Sequence, residues 1–349
     1  MRPLLKKHLK LAFCRLGLAL ACIIGGAACR NPATKSSGLS ATPFRVALLT
    51  PGPVSDAGWN AAAYDGLELI RRQLGAQTAL VQTTSPADFD DAFRDFAARG
   101  FTLIFAHGFE YTDAALSAGR QFPRTFFIVT SGSAAASNVA SLSFKIEQGA
   151  YVLGVLAAGM SSSGVVGTVG GIELPSIKLT FAGFQHGFMS VRPKGRVLTS
   201  FIGSFDDVGA AKEAALAEIS QGADVLFHNA DAAGLGVFQA AAERHVYALG
   251  SNRDQNGVAP QVVLASAVTS IPQAFLKIAS QVKAGDFHPR MLEFGMSDGM
   301  VRVIVNQQLE PRIPPSVMKQ VKTTEQAIIS GRIVVPSAYS SVQQSSGRS

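Results

Sequence analysis

Residues 44–74, FRVALLTPGPVSDAGWNAAAYDGLELIRRQL, contain the pattern on which the fold prediction depends. Residues 44–49 form a short apolar run that predicts a buried strand. After a turn rich in Gly and Pro, Ala63, Leu67, Ile70 and Leu74 recur at intervals of four, three and four, the spacing of one apolar helix face. A buried strand followed by an amphipathic helix is the unit from which a helix-covered parallel sheet is built.

The same alternation continues along the chain in two series. In the first series we predict strands at 78–82, 103–107, 125–130 and 139–144, with helices around 88–98, 112–122 and 147–161. In the second we predict strands at 165–169, 197–202, 225–228, 246–249 and 262–268, with helices near 177–191, 208–221, 234–244 and 271–284. Residues 291–306 break this rhythm and predict a β-hairpin that turns at 297–299. Two such series predict an α/β protein with two doubly wound, Rossmann-like lobes.

The length of 349 residues fits two domains. We expect residues 44–162 and 252–297 to form an N-terminal lobe, and residues 163–251 and 298–336 to form a C-terminal lobe. Residues 29–43, rich in Ser, Pro, Ala and Gly, predict a flexible tether, and residues 337–349 predict a disordered tail.

The first 28 residues have the features of a signal peptide. Five basic residues and no acidic residue precede Cys29, and the apolar run at 16–24 is far shorter than the roughly 20 residues of a membrane-spanning helix. The small residues before Cys29 resemble a bacterial lipoprotein box, although Gly26 stands where a branched apolar residue such as Leu is usual. Lipidation of Cys29, giving a membrane anchor on the periplasmic face, and plain cleavage into the periplasm both remain open. Cys29 is then the only cysteine of the mature chain, so no internal disulfide is expected.

The net charge of +7 does not indicate a nucleic-acid-binding protein. Five of the 31 basic residues belong to the predicted signal peptide, which leaves 26 basic residues against 24 acidic residues. No basic stripe remains that could neutralise phosphates.

Candidate binding residues follow directly after predicted strands, where ligands of doubly wound sheets bind. Asp56, Trp59 and Asn60 lie between the first strand and its helix. An aromatic ring with polar neighbours suits a flat heterocycle, which needs stacking on one face and hydrogen bonds at its edge. The alternative is a capped helix with a half-buried tryptophan.

Two further strand ends and one polar turn contribute the other candidates. His107 and Phe109 follow the strand at 103–107, and Asp231 lies in a loop whose glycine lets a helix N-terminus approach a ligand. Asn252 and Asp254 belong to a polar cluster at 251–256, which can bind hydroxyl groups or amide-like edges but is also compatible with an ordinary turn.

No enzyme motif accompanies these residues. The glycines at 164–171 have the wrong spacing for a dinucleotide loop, and the sequence contains no nucleophile elbow, zinc motif or phosphate-cradling loop. Asp206 and Asp207 precede a helix and are better interpreted as cap residues than as an acid–base pair. We therefore predict a binding protein without catalytic residues, cofactor or metal.

Several short motifs, taken in order, resemble the basic membrane protein (BMP) family of bacterial substrate-binding lipoproteins of ABC transporters over about residues 45–336. They are SDAGWN at 55–60, EQGAY at 147–151, GTVGG at 167–171 with FAGF at 181–184, GSFDD at 203–207, GLGVF at 234–238 and DQ at 254–255. The resemblance implies a type I periplasmic binding protein architecture with a hinge, an ABC permease as partner and a purine nucleoside as ligand.

The resemblance also implies roles for individual residues. Trp59 stands where the family has a base-stacking Phe, Asn60 follows it as in the family, and Phe181 or Phe184 would supply the opposing aromatic face. Asn252 replaces an Asp that contacts sugar hydroxyls in the family. A neutral amide is a weaker partner for a diol than a carboxylate is, so a free purine base competes with the nucleoside as the expected ligand. A non-transport purine receptor or sensor, a nucleoside hydrolase and a scaffold for a protein partner are the alternatives.

Overall fold

The computed structural model describes residues 43–56 and 58–336, which contain two six-stranded sheets. The predicted signal peptide, Cys29, the tether up to residue 42 and the predicted tail lie outside the described residues. Within residues 43–56 and 58–336, no helix is both long enough and apolar enough to span a membrane.

The first sheet is entirely parallel, with the strand order β11-β5-β4-β3-β1-β2. Its strands are β1 (Arg45–Thr50), β2 (Gln77–Gln82), β3 (Leu103–His107), β4 (Phe126–Thr130), β5 (Val139–Phe144) and β11 (Met291–Phe294). The helices packed on it are α1 (Trp59–Leu74), α2 (Pro86–Ala98), α3 (Thr112–Gln121) and α8 (Ile271–Ala284). These elements form the first lobe.

The second sheet has the order β12-β10-β9-β8-β6-β7, and only the β10–β12 pair is antiparallel. Its strands are β6 (Val165–Gly170), β7 (Arg196–Phe201), β8 (Val225–Asn229), β9 (Tyr247–Asn252), β10 (Val263–Thr269) and β12 (Val301–Val305). Its helices are α4 (Ile146–Met160), α5 (Pro175–Val191), α6 (Val208–Ser220), α7 (Gly234–Arg244) and α9 (Pro315–Ile329). The prediction of two doubly wound α/β lobes is confirmed.

The central strands are mainly apolar in their middle because helices cover both faces of each sheet. In β1, Val46 and Leu48 belong to the core on one face, while Ala47 and Leu49 belong to the core on the other. All four side chains are inaccessible to solvent. This double burial explains why the strands could be predicted as unbroken apolar runs.

Glycines fix α4 closely against α5 in the second lobe. A Cβ atom on Gly154 would overlap the backbone carbonyl of Phe184, and one on Gly187 would overlap the backbone carbonyl of Tyr151. The two helices therefore pack backbone to backbone, which larger residues at these positions would prevent.

Two segments lie in the second lobe, whereas the division predicted from the sequence places them in the N-terminal lobe. The helix α4 packs on the second sheet with α5 and α9, although residues 146–162 were assigned to the N-terminal lobe. The strand β10 lies between β9 and β12 of the second sheet, although residues 252–269 were assigned to the N-terminal lobe as well. Local periodicity identifies a helix or a strand but does not show which of two similar sheets it joins.

The chain crosses between the lobes three times, and the crossings are hydrogen-bonded to one another. The Lys145 N–H donates to the Phe294 carbonyl at 2.8 Å, and the Ser270 N–H donates to the Met300 carbonyl at 2.7 Å. The predicted hairpin at 291–306 is wrong, because β11 pairs in the first sheet and β12 in the second. Residues 295–300 instead form the third crossing between the lobes.

Candidate functional site

The carboxyl ends of β1 and β3 in the first lobe lie against those of β8 and β9 in the second. Gly58, at the start of α1, is so close to Asp231 that a Cβ atom added to it would lie 3.0 Å from the Asp231 Oδ1. Near them, the Arg253 guanidinium forms a 2.8 Å ion pair with Asp65 on α1, which also joins the two lobes. The strand ends that were singled out in the sequence therefore meet at the boundary between the lobes.

Asp56 caps α1. One carboxylate oxygen accepts hydrogen bonds from the N–H groups of Gly58 and Ala61 at 3.0 and 2.9 Å, and the other accepts from the Asn60 N–H at 2.7 Å. The side chain is buried, and the three donors at a helix N-terminus stabilise its negative charge. Of the two roles considered for Asp56, the structure gives it the capping role.

Trp59 is held in place by a buried histidine. Its indole ring stacks on the His107 ring with centroids 4.2 Å apart and planes 25° apart. The His107 Nε2 lies 3.1 Å from the Trp59 carbonyl, which can only accept, so this nitrogen carries the proton and Nδ1 accepts from the Thr130 hydroxyl. Burial lowers the pKa of His107 to about 3, so the imidazole that supports the indole is neutral.

Asp231 reaches this cluster from the second lobe. Its carboxylate lies against the N-terminus of α1, where a Cβ atom on Gly58 would be 3.0 Å from Oδ1, and it accepts a hydrogen bond from the Asn252 Nδ2 at 3.3 Å. Burial, reinforced by the negative charge of Asp56, raises the pKa of Asp231 to about 7. The carboxyl group can therefore gain or lose a proton near neutral pH.

Asn252 links Asp231 to the end of the neighbouring strand. Its Nδ2 also donates to the Asn229 Oδ1 at 3.3 Å, and its backbone carbonyl accepts a hydrogen bond from the Thr269 hydroxyl at 3.1 Å. Asn229 begins the loop from which Asp231 was selected as a candidate binding residue.

A second buried histidine supports the loop that follows β9. The Gln255 Oε1 accepts from the Ser251 N–H at 2.9 Å and lies 3.0 Å from the His228 Nε2, which therefore carries the proton. Burial lowers the pKa of His228 to about 4, so this ring is neutral too. Gly234 leaves room for the His228 ring, which a Cβ atom at this position would overlap. Sequence reasoning missed this pair because the two residues are 27 positions apart.

Several candidates do not join the cluster. Phe184 is completely buried and stacks on Phe227 in the core of the second lobe, and Phe181 packs on the same ring. The expectation that one of them presents an aromatic face to the cleft is therefore not met, because both point into the core. Phe109 is 53% exposed, and the exposed carboxylate of Asp254 accepts a hydrogen bond from the Asn256 N–H.

Asn60 is buried, and its Oδ1 has no hydrogen-bond partner among the described residues. Buried polar atoms are rarely left unpaired, so this oxygen is suited to accept a hydrogen bond from a bound molecule. Within the same described part of the chain, no group of three or more His, Cys, Asp and Glu side chains is arranged to hold a metal ion.

Comparison with known proteins points to one family. The family model described as Bmp, ABC transporter substrate-binding protein PnrA-like, matches residues 44–338. The chain is similar to a purine-binding protein of Brucella abortus (strain 2308), with 28% identity over 293 residues that cover 83% of this chain and 82% of the relative. It is also similar to basic membrane protein A2 of Borrelia garinii subsp. bavariensis, with 24% identity over 300 residues that cover 84% of this chain and 88% of the relative.

The fold is shared with solved structures as well. An ABC transporter solute-binding protein from Aeropyrum pernix K1 superposes with a TM-score of 0.77 at 21% identity, covering 86% of this chain and 96% of that one.

Proposed function

This chain belongs to the Bmp family of PnrA-like ABC transporter substrate-binding proteins, as its motifs indicated, and from that premise we propose that it captures a purine between its two lobes. The ligand is a purine nucleoside or a free purine base, and the protein delivers it to the permease of an ABC importer. The purine-binding relative from Brucella supports this ligand class.

The observation that carries the proposal is the Trp59–His107 stack at the interlobe boundary. The neutral imidazole lies 4.2 Å from the indole and fixes its orientation without placing a charge beneath it. A preoriented aromatic ring binds a flat heterocycle at a smaller entropic cost than a mobile one does. Stacking between a base and an aromatic side chain contributes about 1–3 kcal/mol.

Polar groups beside the indole match the edge of a purine, which carries both donors and acceptors. Asn60 offers the unpaired Oδ1, Asn252 offers an amide, and Asp231 offers a carboxyl group that can either donate or accept. The first of these lies in the first lobe and the other two in the second, so a bound purine would hold the lobes together. Asn252 favours the free base over the nucleoside, because its neutral amide binds the hydroxyl groups of a sugar less strongly than a carboxylate does.

The proposal includes an exported, anchored protein. We propose that residues 1–28 are removed as a signal peptide and that lipidated Cys29 anchors the protein to the periplasmic face of the membrane. Residues 29–43 would then give the binding lobes reach toward the permease.

Fluorescence of Trp59 tests ligand capture directly, because the chain has one tryptophan. We expect adenine and adenosine to change its emission in a saturable way, with one site per chain. The same mixtures, followed by chromatography, should show intact adenosine after prolonged incubation. Sustained release of adenine and ribose in proportion to protein would support a nucleoside hydrolase instead.

A further inference from the structure

The N-terminus of α1 is approached by a carboxylate from each lobe. Asp56, in the first lobe, accepts hydrogen bonds from the N–H groups of Gly58, Asn60 and Ala61. Asp231 of the second lobe lies against the same helix terminus, since a Cβ atom added to Gly58 would be 3.0 Å from its Oδ1. Each lobe therefore places one carboxylate at the start of the helix that carries the tryptophan.

Asp231 and its hydrogen-bond partner Asn252, both in the second lobe, have a left-handed backbone conformation. Asp231 has a φ of 45° and Asn252 a φ of 65°, and their side chains are hydrogen-bonded to each other at 3.3 Å. Asn and Asp adopt this conformation more readily than other residues with a side chain, so it is compatible with a fixed position of both groups.

The charged groups that face Asp231 are carboxylates. Asp56 approaches from the loop before α1 and Asp206 from the loop before α6, while the nearby cation of Arg253 is paired with Asp65. Two carboxylates that share one buried helix terminus are not both easily ionised. Asp56 receives three N–H donors from α1, whereas the hydrogen bond to Asp231 comes from Asn252, so Asp231 is the member of the pair whose negative charge is less well compensated.

We propose that Asp231 is the positioning residue for lobe closure and that its carboxyl group binds a proton as the lobes close on the ligand. The identity of the ligand rests on the function proposed above, whereas the contact between Asp231 and α1 involves only groups of the protein. Asp231 lies against the N-terminus of α1 in the first lobe and is held in place within its own lobe by the hydrogen bond from Asn252.

The sign of the pH effect follows from the two states. With the lobes apart, Asp231 loses the burial and the neighbouring Asp56 that raise its pKa from 3.8 to about 7. Closing therefore takes up a proton between these two values, and ligand affinity falls as the pH rises toward 7 and levels off above it. From pH 6 to pH 8 the expected loss of affinity is about tenfold.

Isothermal titration calorimetry of the full chain with adenine and with adenosine, at pH 6 and pH 8, tests this linkage. Measurements in buffers with different ionisation enthalpies should show about one proton taken up per binding event at pH 6 and only a small fraction of one at pH 8. Asp231→Asn keeps the shape and the acceptor oxygen but cannot ionise, so its affinity should be nearly the same at both pH values. Asp113→Asn, which removes an exposed carboxylate on α3, is the control and should keep the full pH dependence.

A wild-type affinity that changes less than twofold between pH 6 and pH 8, without proton uptake, overturns the proposal. An Asp231→Asn variant that keeps the wild-type slope overturns it as well. If neither compound binds at either pH, the proposed ligand class fails, and closure is then measured by small-angle scattering of the ligand-free protein. A smaller radius of gyration at pH 6 than at pH 8 in wild type, but not in Asp231→Asn, supports the closure role, and equal wild-type radii overturn it.

Discussion

Replacing Trp59 with alanine should weaken purine binding while leaving the lobes folded. The substitution removes the indole that stacks on His107 at 4.2 Å and with it the flat surface offered to the ligand. Base–aromatic stacking is worth about 1–3 kcal/mol, which corresponds to a loss of affinity of about fivefold to 150-fold. Titration calorimetry with adenine measures this loss, and Trp59→Phe, which keeps an aromatic ring, should recover most of it.

Tyr64→Ala provides the matched control, because Tyr64 lies on the same helix and is exposed. Its affinity for adenine should equal that of wild type. Trp59 also packs partly against the core of the first lobe, so the urea midpoint of each variant must be measured beside its affinity. Binding of adenine by a folded Trp59→Ala variant within twofold of wild type would refute the stacking argument and place the ligand elsewhere.

Three further substitutions test the cleft and its supports. Asn252→Asp puts a carboxylate in place of the amide that lies 3.3 Å from Asp231, so purine affinity at pH 8 should fall by about tenfold or more and recover when Asp231→Asn is added. Gly187→Ala would overlap the α4 backbone and should lower the free energy of unfolding by about 3 kcal/mol in urea, whereas Gly257→Ala, with open space around it, should not. Burial raises the pKa of Glu218 to about 7, so raising the pH from 6 to 8 should cost wild type about 1 kcal/mol more stability than Glu218→Gln.

Each of these expectations has a clear contrary result. If Asn252→Asp binds purine as tightly as wild type at pH 8, repulsion between the new carboxylate and Asp231 does not weaken binding. Equal urea midpoints for Gly187→Ala and Gly257→Ala would contradict the close α4–α5 packing. A Glu218→Gln variant with the same stability loss as wild type would contradict the raised pKa.

Local sequence patterns were sufficient for the individual strands and most helices. The central strands are buried on both faces and therefore have an apolar middle, as residues 46–49 of β1 illustrate. The assignment of α4 and β10 to a lobe could not be made in this way, because both lobes offer the same kind of sheet. The helix α9 was not predicted; its Val317 packs against Gly159 of α4, a contact between residues far apart in sequence.

The same distinction applies to the site. Ligands of doubly wound sheets bind beyond the strand ends, and the residues that this rule selects, Trp59, His107, Asp231 and Asn252, lie close together in the structure. The aromatic partner inferred from the family resemblance lies in the core instead, where Phe184 stacks on Phe227. The contact of Asp231 with α1 depends on how the lobes meet, which no local pattern encodes.

The most direct test of purine capture is mass spectrometry of the small molecules that purified wild-type protein releases on denaturation, quantified per mole of chain. We expect a purine base or nucleoside in near-stoichiometric amount, lost or strongly reduced in Trp59→Ala purified in parallel. Release of a near-stoichiometric compound that lacks a purine ring would contradict it.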